Sequence, residues 1–168
     1  MEDTLLIGDH LLVNKLSYGI HNPFTNKILI PIGKPQRGDV TVFIFPQDPS
    51  KEYIKRVIGL PGDKVQIIDK KVYINGELYE TPQAHYAASP IIPAPKSSKD
   101  SARDNFGPRV VPPDAYFVLG DNRDKSYDSR FWGFVPVDLM RGKALYIYFS
   151  LDQKDSRVRW DRIGLTIN

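Results

Sequence analysis

A lysine within an apolar strand pattern is the first candidate for chemistry in this sequence. Residues 52–63, EYIKRVIGLPGD, begin with the aromatic and β-branched content of a strand and end with the composition of a turn. Alternate residues of a strand share a face, so we expect Lys55 to lie between Tyr53 and Val57. One interpretation is that its aliphatic stem covers this face while the ammonium group reaches water.

The other interpretation is an amine that is kept out of water. A free lysine has a pKa of about 10.4, and burial can lower that pKa until the neutral amine accepts a proton near pH 7–8. Such an amine can act as a general base for a serine hydroxyl without any histidine. A hydroxyl such as that of Ser126 would orient its lone pair.

A second unusual segment covers residues 120–136, GDNRDKSYDSRFWGFVP, directly after the apolar run at 115–119. A charged loop between buried segments must pair its charges and hydrogen bonds internally. We therefore expect either a rigid, self-paired turn with an Asp128–Arg130 ion pair or a loop that also carries chemistry.

A calcium-binding loop does not explain this segment. Counting from Asp121 places Arg123 and Lys125 at the third and fifth positions and Trp132 at the twelfth, where an EF-hand requires oxygen ligands. The chain has no cysteine and three histidines in polar or proline-rich segments, which excludes disulfides and thiolate chemistry and makes a zinc site improbable. We predict no metal and no cofactor.

The elements that must position these residues are strands. Short apolar runs separated by Gly, Pro, Asn and Asp predict an all-β, mostly antiparallel fold. The Asn75-Gly76 pair predicts a hairpin. The predicted runs are 11–13, 28–32, 40–45, 53–58, 65–68, 72–74, 77–79, 115–119, 144–149 and a terminal run at about 158–167.

Residues 81–113 interrupt this pattern. They contain 7 of the 14 prolines and a polar run at 96–100. They therefore offer few backbone N–H donors for a β-ladder and few apolar side chains for a core. We interpret them as an extended surface insertion. The core then has a first part at 1–80, with the Lys55 strand and the hairpin, and a second part at 114–168.

Composition excludes some classes of protein. The net charge of +3 is scattered along the chain, so we expect no nucleic-acid partner. No stretch approaches the roughly 18 apolar residues of a membrane span, and the first residues do not resemble a signal peptide.

Three segments in this order resemble the bacterial type I signal peptidases, or leader peptidases, which are serine–lysine endopeptidases. They are TLLIGDHLLVNKLSYG at 4–19, RGDVTVF with YIKRVIGLPGD at 37–63, and GDNRDKSYDSRFWGFVP at 120–136. The resemblance covers nearly the whole chain, and the proline-rich insertion is its weakest part. It implies an all-β fold of two antiparallel sheet lobes.

The resemblance also implies roles for individual residues. Lys55 matches the general base of the family, and Ser126 matches the serine that orients this lysine. Structural support is implied for Arg56, Asp121, Asp128 and Arg130. Substrate contacts are implied for Met1, Leu5, Tyr53 and Ile54, beside which an extended peptide is expected to add as a strand.

The implied substrates are exported preproteins with small residues, typically alanine, at the first and third positions before the cut. The implied location is the bacterial cytoplasmic membrane, with the catalytic domain on its extracytoplasmic side and in contact with the membrane surface. The anchor of the full-length protein is expected to lie outside these residues.

One departure from the family pattern affects the expected activity. The family places its nucleophile in a pattern like Ser-Met-x-Pro-Thr-Leu, whereas residues 1–5 here read MEDTL, with Asp3 at the proline position. We expect the nucleophile to be the residue before Met1, and this chain alone to be inactive. The alternatives are a non-catalytic peptide- or membrane-binding module and a serine–lysine protease with another processing role.

Overall fold

The computed structural model describes residues 1, 4–22, 28–87, 90–93 and 103–167. The strands of these residues are β1 (Asp9–Asn14), β2 (Gly19–His21), β3 (Ile28–Pro31), β4 (Val40–Ile44), β5 (Glu52–Gly59), β6 (Lys64–Ile68), β7 (Lys71–Ile74), β8 (Glu77–Leu78), β9 (Phe106–Val110), β10 (Ala115–Leu119), β11 (Val135–Pro136), β12 (Met140–Asp152) and β13 (Arg157–Val158). The helical elements are α1 (Ser129–Trp132) and 3-10 turns at Lys15–Ser17, Val137–Leu139 and Trp160–Arg162.

The strands form two larger antiparallel sheets and a small one. The large sheet is 7-stranded and runs β1-β12-β4-β5-β10-β11, with β13 paired to β12. The 4-stranded sheet runs β8-β7-β6-β9, and β2 pairs with β3. This arrangement confirms the predicted all-β class and the two antiparallel lobes.

Strand β10 contributes to two of the three hydrophobic clusters of the described residues. Successive side chains of a strand point to opposite faces. Accordingly Phe117 and Leu119 pack against the 4-stranded sheet, while Tyr116 and Val118 pack in the core on the other face. All of its residues are buried. The loop that follows β10 therefore leaves from a rigid base.

The predicted hairpin at Asn75-Gly76 is present between β7 and β8. Asn75 has φ 56° and Gly76 has φ 91°, which is the left-handed pair that a two-residue hairpin turn requires. The turn between β6 and β7 also has positive φ at Asp69 (46°) and Lys70 (73°).

The proline-rich segment contributes more structure than its composition indicated. Strand β9 pairs with β6, and Val111 directly after it is 1% exposed. Strand β9 lies at the edge of its sheet, where the missing N–H of Pro108 need not break a ladder. The polar run at 96–100 lies outside the described residues.

The terminal strand prediction was wrong for most of its length. Strand β13 has only 2 residues, and the chain then turns at Trp160–Arg162 and forms a single bridge between Thr166 and Tyr146. Arg162 draws this turn inward, because its guanidinium donates to Asp9 at 2.6 Å and to the carbonyl oxygen of Thr4 at 3.1 Å. Of the helices described, none is long and apolar enough to cross a membrane.

We predict that Phe117→Ala lowers the free energy of unfolding by about 3–5 kcal/mol, because it opens a cavity where β10 meets the 4-stranded sheet. Urea denaturation measures this loss. Ile68→Ala is the control, since Ile68 is 43% exposed on β6 and should cost at most about 0.5 kcal/mol. Equal losses for the two variants would contradict the position of the core.

Candidate active site

Lys55 lies in the middle of β5, at the point where one neighbouring strand ends. On one side β5 pairs with β4, with Thr41 opposite Lys55. On the other side β10 pairs with β5 only as far as Arg56, whose partner is Leu119. The chain after Leu119 turns and brings residues 120–128 over the Lys55 side chain.

The amine of Lys55 and the hydroxyl of Ser126 are in hydrogen-bond contact. The distance from Lys55 Nζ to Ser126 Oγ is 3.1 Å. Gly120 makes this approach possible, because a Cβ atom there would lie 2.2 Å from Ser126 Oγ and 3.5 Å from Lys55 Nζ. Lys55 and Ser126, which we expected to interact, are thus neighbours in the fold.

The surroundings of the amine are largely aromatic on one side. Lys55 Nζ lies 5.9 Å from the ring centroid of Tyr53, and that ring stacks on Phe45 with centroids 4.4 Å apart. Trp132 adds an edge to Phe45 at 5.7 Å. Tyr53, supported by these rings, covers one side of the half-buried Lys55 side chain.

Burial lowers the pKa of Lys55 below its ordinary value of 10.5. Desolvation, which disfavours the charged form, is the largest cause. The Asp128 and Asp121 carboxylates act in the opposite direction, while the Arg130 guanidinium lowers the pKa further. The net effect favours a neutral amine, which is the form that accepts a proton.

Next to Lys55, Arg56 forms a buried ion pair with Asp121. Its Nε and Nη2 atoms donate to the two oxygens of Asp121, both at 2.8 Å, and its Nη1 donates to the Gly38 carbonyl oxygen at 2.8 Å. Arg56 is 1% exposed and Asp121 is fully buried. This bidentate pair fixes the start of the loop to β5.

Thr4 is a contact that sequence reasoning missed. Its Oγ1 donates to Asp121 Oδ2 at 2.6 Å, so the Arg56–Asp121 pair also holds the segment near the first residue. A hydroxyl bound to a carboxylate on the Arg56 side of the strand is a tether, and no pattern in the sequence signals this role.

Asp128 and Arg130 form the expected ion pair. Arg130 Nε and Nη2 each donate to an oxygen of Asp128 at 2.8 Å. Asp128 also caps α1 and accepts from the backbone N–H of Gly120 at 3.1 Å. Arg130 in turn donates to the carbonyl oxygen of Arg123 at 2.6 Å. The loop is closed on itself by buried, charge-assisted hydrogen bonds.

The four residues predicted to contact substrate lie in two places. Met1, Leu5 and Ile54 are partly buried side chains of one cluster, packed against Val40 and its buried neighbours. Tyr53 belongs to the core on the other face of β5. The first three therefore share one apolar cluster, and Tyr53 instead borders the Lys55 amine.

The backbone of β5 near Ile54 has an open side. Val57 N donates to Asp39 O at 2.8 Å on the β4 side. Because hydrogen-bonded pairs alternate along an antiparallel ladder, Ile54 directs its N–H and C=O away from β4. No strand of the described residues pairs with that side of Ile54, since β10 stops at Arg56. An extended peptide can bind along this edge.

The arrangement is suited to proton transfer next to a peptide-binding edge. An amine whose pKa is lowered by burial, in contact with a hydroxyl, lies one residue from the open stretch of β5. Among the residues that the structure describes, no group of three or more His, Asp or Glu side chains is placed to hold a metal ion.

Comparison with known proteins gives one family. The family model described as signal peptidase, peptidase S26, matches residues 1–149. A signal peptidase I from Pseudomonas fluorescens is 41% identical over an alignment that covers 98% of this chain and 68% of the relative. A signal peptidase I from Buchnera aphidicola subsp. Baizongia pistaciae is 33% identical, with 98% of this chain and 73% of the relative covered.

A solved structure is similar as well. The crystal structure of a signal peptidase I from Enterococcus faecalis aligns with a TM-score of 0.51 and 35% identity, covering 67% of this chain and 97% of that one.

We predict that Lys55→Met raises the melting temperature, and that this gain shrinks as the pH rises. Below its lowered pKa the amine is charged in both the folded and the unfolded chain, so the folded chain carries the full cost of the buried charge. Between that pKa and 10.5 the cost falls steadily as the pH rises, because only the unfolded chain still holds the proton there, and above 10.5 the cost is gone. Thermal denaturation from about pH 6 to pH 10 measures the difference.

Lys64→Met is the matched control, because Lys64 is exposed at the start of β6. Its difference from the parent chain should stay constant over the same pH range. A Lys55→Met gain that is constant or grows with pH would contradict a desolvated amine.

Proposed function

Since this chain belongs to the signal peptidase family, peptidase S26, we propose that it removes signal peptides from exported preproteins through a serine–lysine dyad in which Lys55 is the general base. The function of the family is signal peptide processing by a serine endopeptidase, and in bacteria the family is associated with the membrane. The observation that carries the mechanism is the 3.1 Å contact between Lys55 and Ser126 beside the open edge of β5.

The proposed reaction is acyl transfer. The neutral Lys55 amine takes the hydroxyl proton of a nucleophilic serine as its oxygen bonds to the scissile carbonyl carbon. The ammonium then gives this proton to the leaving amine as the peptide C–N bond breaks. Water attacks the acyl-enzyme, again with the help of Lys55, and releases the signal peptide with a free carboxylate. Ser126 orients the amine and is not the nucleophile.

We assign the nucleophile to a serine directly before Met1 in the complete protein. The support is the likeness of residues 1–5 to the stretch that follows the family nucleophile, together with the bond from Thr4 to Asp121, which holds this stretch beside Arg56. The hydroxyl of Thr4 itself donates its hydrogen bond to the Asp121 carboxylate. Asp3, which occupies the proline position of the family pattern, lies outside the described residues.

The two buried ion pairs act as braces for the dyad. Arg56–Asp121 fixes β5 to the N-terminal segment and to the start of the loop, and Asp128–Arg130 fixes the end of the loop that carries Ser126. Each pair excludes water and keeps two charges matched, so that removing one partner leaves the other buried and uncompensated.

We infer that substrate specificity follows from the apolar cluster of Met1, Leu5 and Ile54 next to the edge of β5. A preprotein adds as a strand along Ile54, and alternate side chains before the cut point toward Met1, Leu5 and Ile54. These partly buried side chains leave a shallow apolar surface. Small residues fit at the first and third positions before the cut, while larger ones clash.

The test compares residues 1–168 with the same chain preceded by one serine, using a peptide that contains Ala-x-Ala before the cut. We expect cleavage only with the added serine. Lys55→Ala in the extended chain should lower kcat by about 10⁴-fold or more. Ser126→Ala should lower it by about 10²-fold, because a misoriented base costs roughly that much. Mass spectrometry of the products locates the cut.

A preceding alanine in place of serine is the matched control and should give no cleavage. Binding of the peptide without cleavage by the serine-extended chain would favour the non-catalytic module. Cleavage that ignores the Ala-x-Ala positions would favour another processing protease of the serine–lysine type. Full activity of the Lys55→Ala variant would contradict the assigned base.

We also propose that the surface next to the N-terminal segment rests on an anionic membrane. Two large apolar side chains are exposed there, Ile7 (75%) and Trp160 (77%). Arg159, next to Trp160, donates to the carbonyl oxygen of Ile7 at 3.1 Å, which places these elements side by side. Basic Arg159 borders this apolar patch and complements lipid phosphates.

Ile7→Asp should weaken partition into phosphatidylglycerol vesicles by about tenfold, because it removes apolar burial of about 1.5–3 kcal/mol. Vesicle sedimentation measures the bound fraction, and the fluorescence of Trp160 should shift to shorter wavelength on binding. Val110→Asp is the control, since Val110 is 61% exposed on β9 of the other sheet. Equal effects of the two substitutions would refute the assigned surface.

A further inference from the structure

The loop that carries Ser126 contains a third buried arginine, which the proposed mechanism does not use. Arg123 is 3% exposed. Its Nη2 donates to the hydroxyl of Thr81 at 3.2 Å, and its Nε has no hydrogen-bond partner. Among the described residues, no carboxylate forms an ion pair with this guanidinium.

Its neighbours show how unusual this is. Arg56 and Arg130 lie in the same part of the fold, and each donates two hydrogen bonds to one aspartate. Arginine has five N–H donors and stays charged in proteins. A buried cation without an anion is unfavourable unless something neutralises it. Arg123 therefore lacks a partner that the other two have.

Arg123 forms part of the wall of a cavity of about 500 Å³. The cavity lies between the β6–β7 turn, strand β8 and the start of the proline-rich segment, and none of its lining residues belongs to the Met1 cluster. Tyr86 and Leu78 supply apolar walls, and Lys71 adds a second positive charge. Lys70, which also lines it, is paired with Asp124 at 2.9 Å.

We propose that this cavity, the Arg123 pocket, is a binding site for a carboxylate, which would neutralise the guanidinium of Arg123. A carboxylate supplies one negative charge and planar acceptors that match a guanidinium. A phosphate dianion fits less well, because Asp69 and Glu80 lie in the same wall and would repel its second charge. The apolar walls suit an acid carried on a peptide or on a small organic molecule.

The pocket is close enough to the dyad to serve the same substrate. Arg123 precedes Ser126 by three residues, so their Cα atoms are at most about 10 Å apart. An extended peptide covers this distance in about three residues. The carboxylate then comes from one of two sources, an acidic side chain of the preprotein a few residues after the cut or a free small acid. The first source rests on the proposed function, and the second does not.

The experiment observes the Arg123 Nε–Hε signal by NMR in ¹⁵N-arginine-labelled protein, with the signal assigned by its loss in Arg123→Lys. Titration with N-acetylglutamate amide should shift this signal saturably, with a dissociation constant on the order of millimolar. The neutral N-acetylglutamine amide should bind at least about tenfold more weakly, which corresponds to about 1.4 kcal/mol. An absent shift, or equal shifts with both compounds, overturns the proposal.

A second variant tests the cavity without changing any residue of the loop that carries Arg123. Leu78→Trp fills the pocket from strand β8 without changing Arg123, and it should reduce the shift by at least about tenfold in affinity. Ile68→Trp is the matched control, because Ile68 is also an exposed aliphatic residue of the same sheet but lies outside the pocket. If both tryptophan variants bind the acid like the parent chain, the site is not this cavity.

Peptides distinguish the two sources. Ala-x-Ala peptides carry either Glu or Gln at each of the first four positions after the cut, and the ratio of their affinities is compared between the parent chain and Leu78→Trp. A ratio above about fivefold at one position, lost in Leu78→Trp, identifies the preprotein as the source. A ratio of one at all positions, with a saturable titration, identifies a free acid. Failure of every peptide to bind speaks against the proposed function and leaves the titration decisive for the pocket.

Discussion

The carboxylates closest to the ε-amine of Lys55 are each bound by an arginine, and the rest of the site depends on this. Asp121 and Asp128 favour a protonated lysine, and unpaired they would counteract the effect of burial. Arg56 and Arg130 cover both of them with bidentate hydrogen bonds. The aromatic rings can therefore desolvate the amine without the nearby negative charges restoring its proton.

One continuous segment supplies most of this arrangement. The loop after β10 has to bring a carboxylate to Arg56, a hydroxyl to Lys55 and a helix cap to α1 within a few residues. It does so because β10 is held on both faces and because Gly120 has no side chain where Ser126 comes closest. Burial of so many charged side chains would be unfavourable if they were unpaired. All three aspartates of the segment, Asp121, Asp124 and Asp128, form ion pairs inside the fold.

Local patterns made the strands, the Asn75-Gly76 hairpin and the unusual setting of Lys55 predictable, because alternation and turn chemistry are local properties. The bond from Thr4 to Asp121 joins residues far apart in sequence, and no spacing rule reveals it. Strand β9 was missed because proline content argued against a strand, whereas an edge position tolerates Pro108. The lack of an ion-pair partner for Arg123 among the described residues could be recognised only in the structure, by comparison with Arg56 and Arg130.

The burial of both faces of β10 has a consequence for how the protein unfolds. The two clusters that share this strand lose packing together if it detaches, so the 4-stranded sheet and the neighbouring part of the large sheet do not open separately. Amide protons of β10 should therefore exchange with solvent only when both clusters unfold. Proteases should cleave this strand only in unfolded molecules. The open edge of β5 next to β10 then persists only as long as these two clusters stay folded.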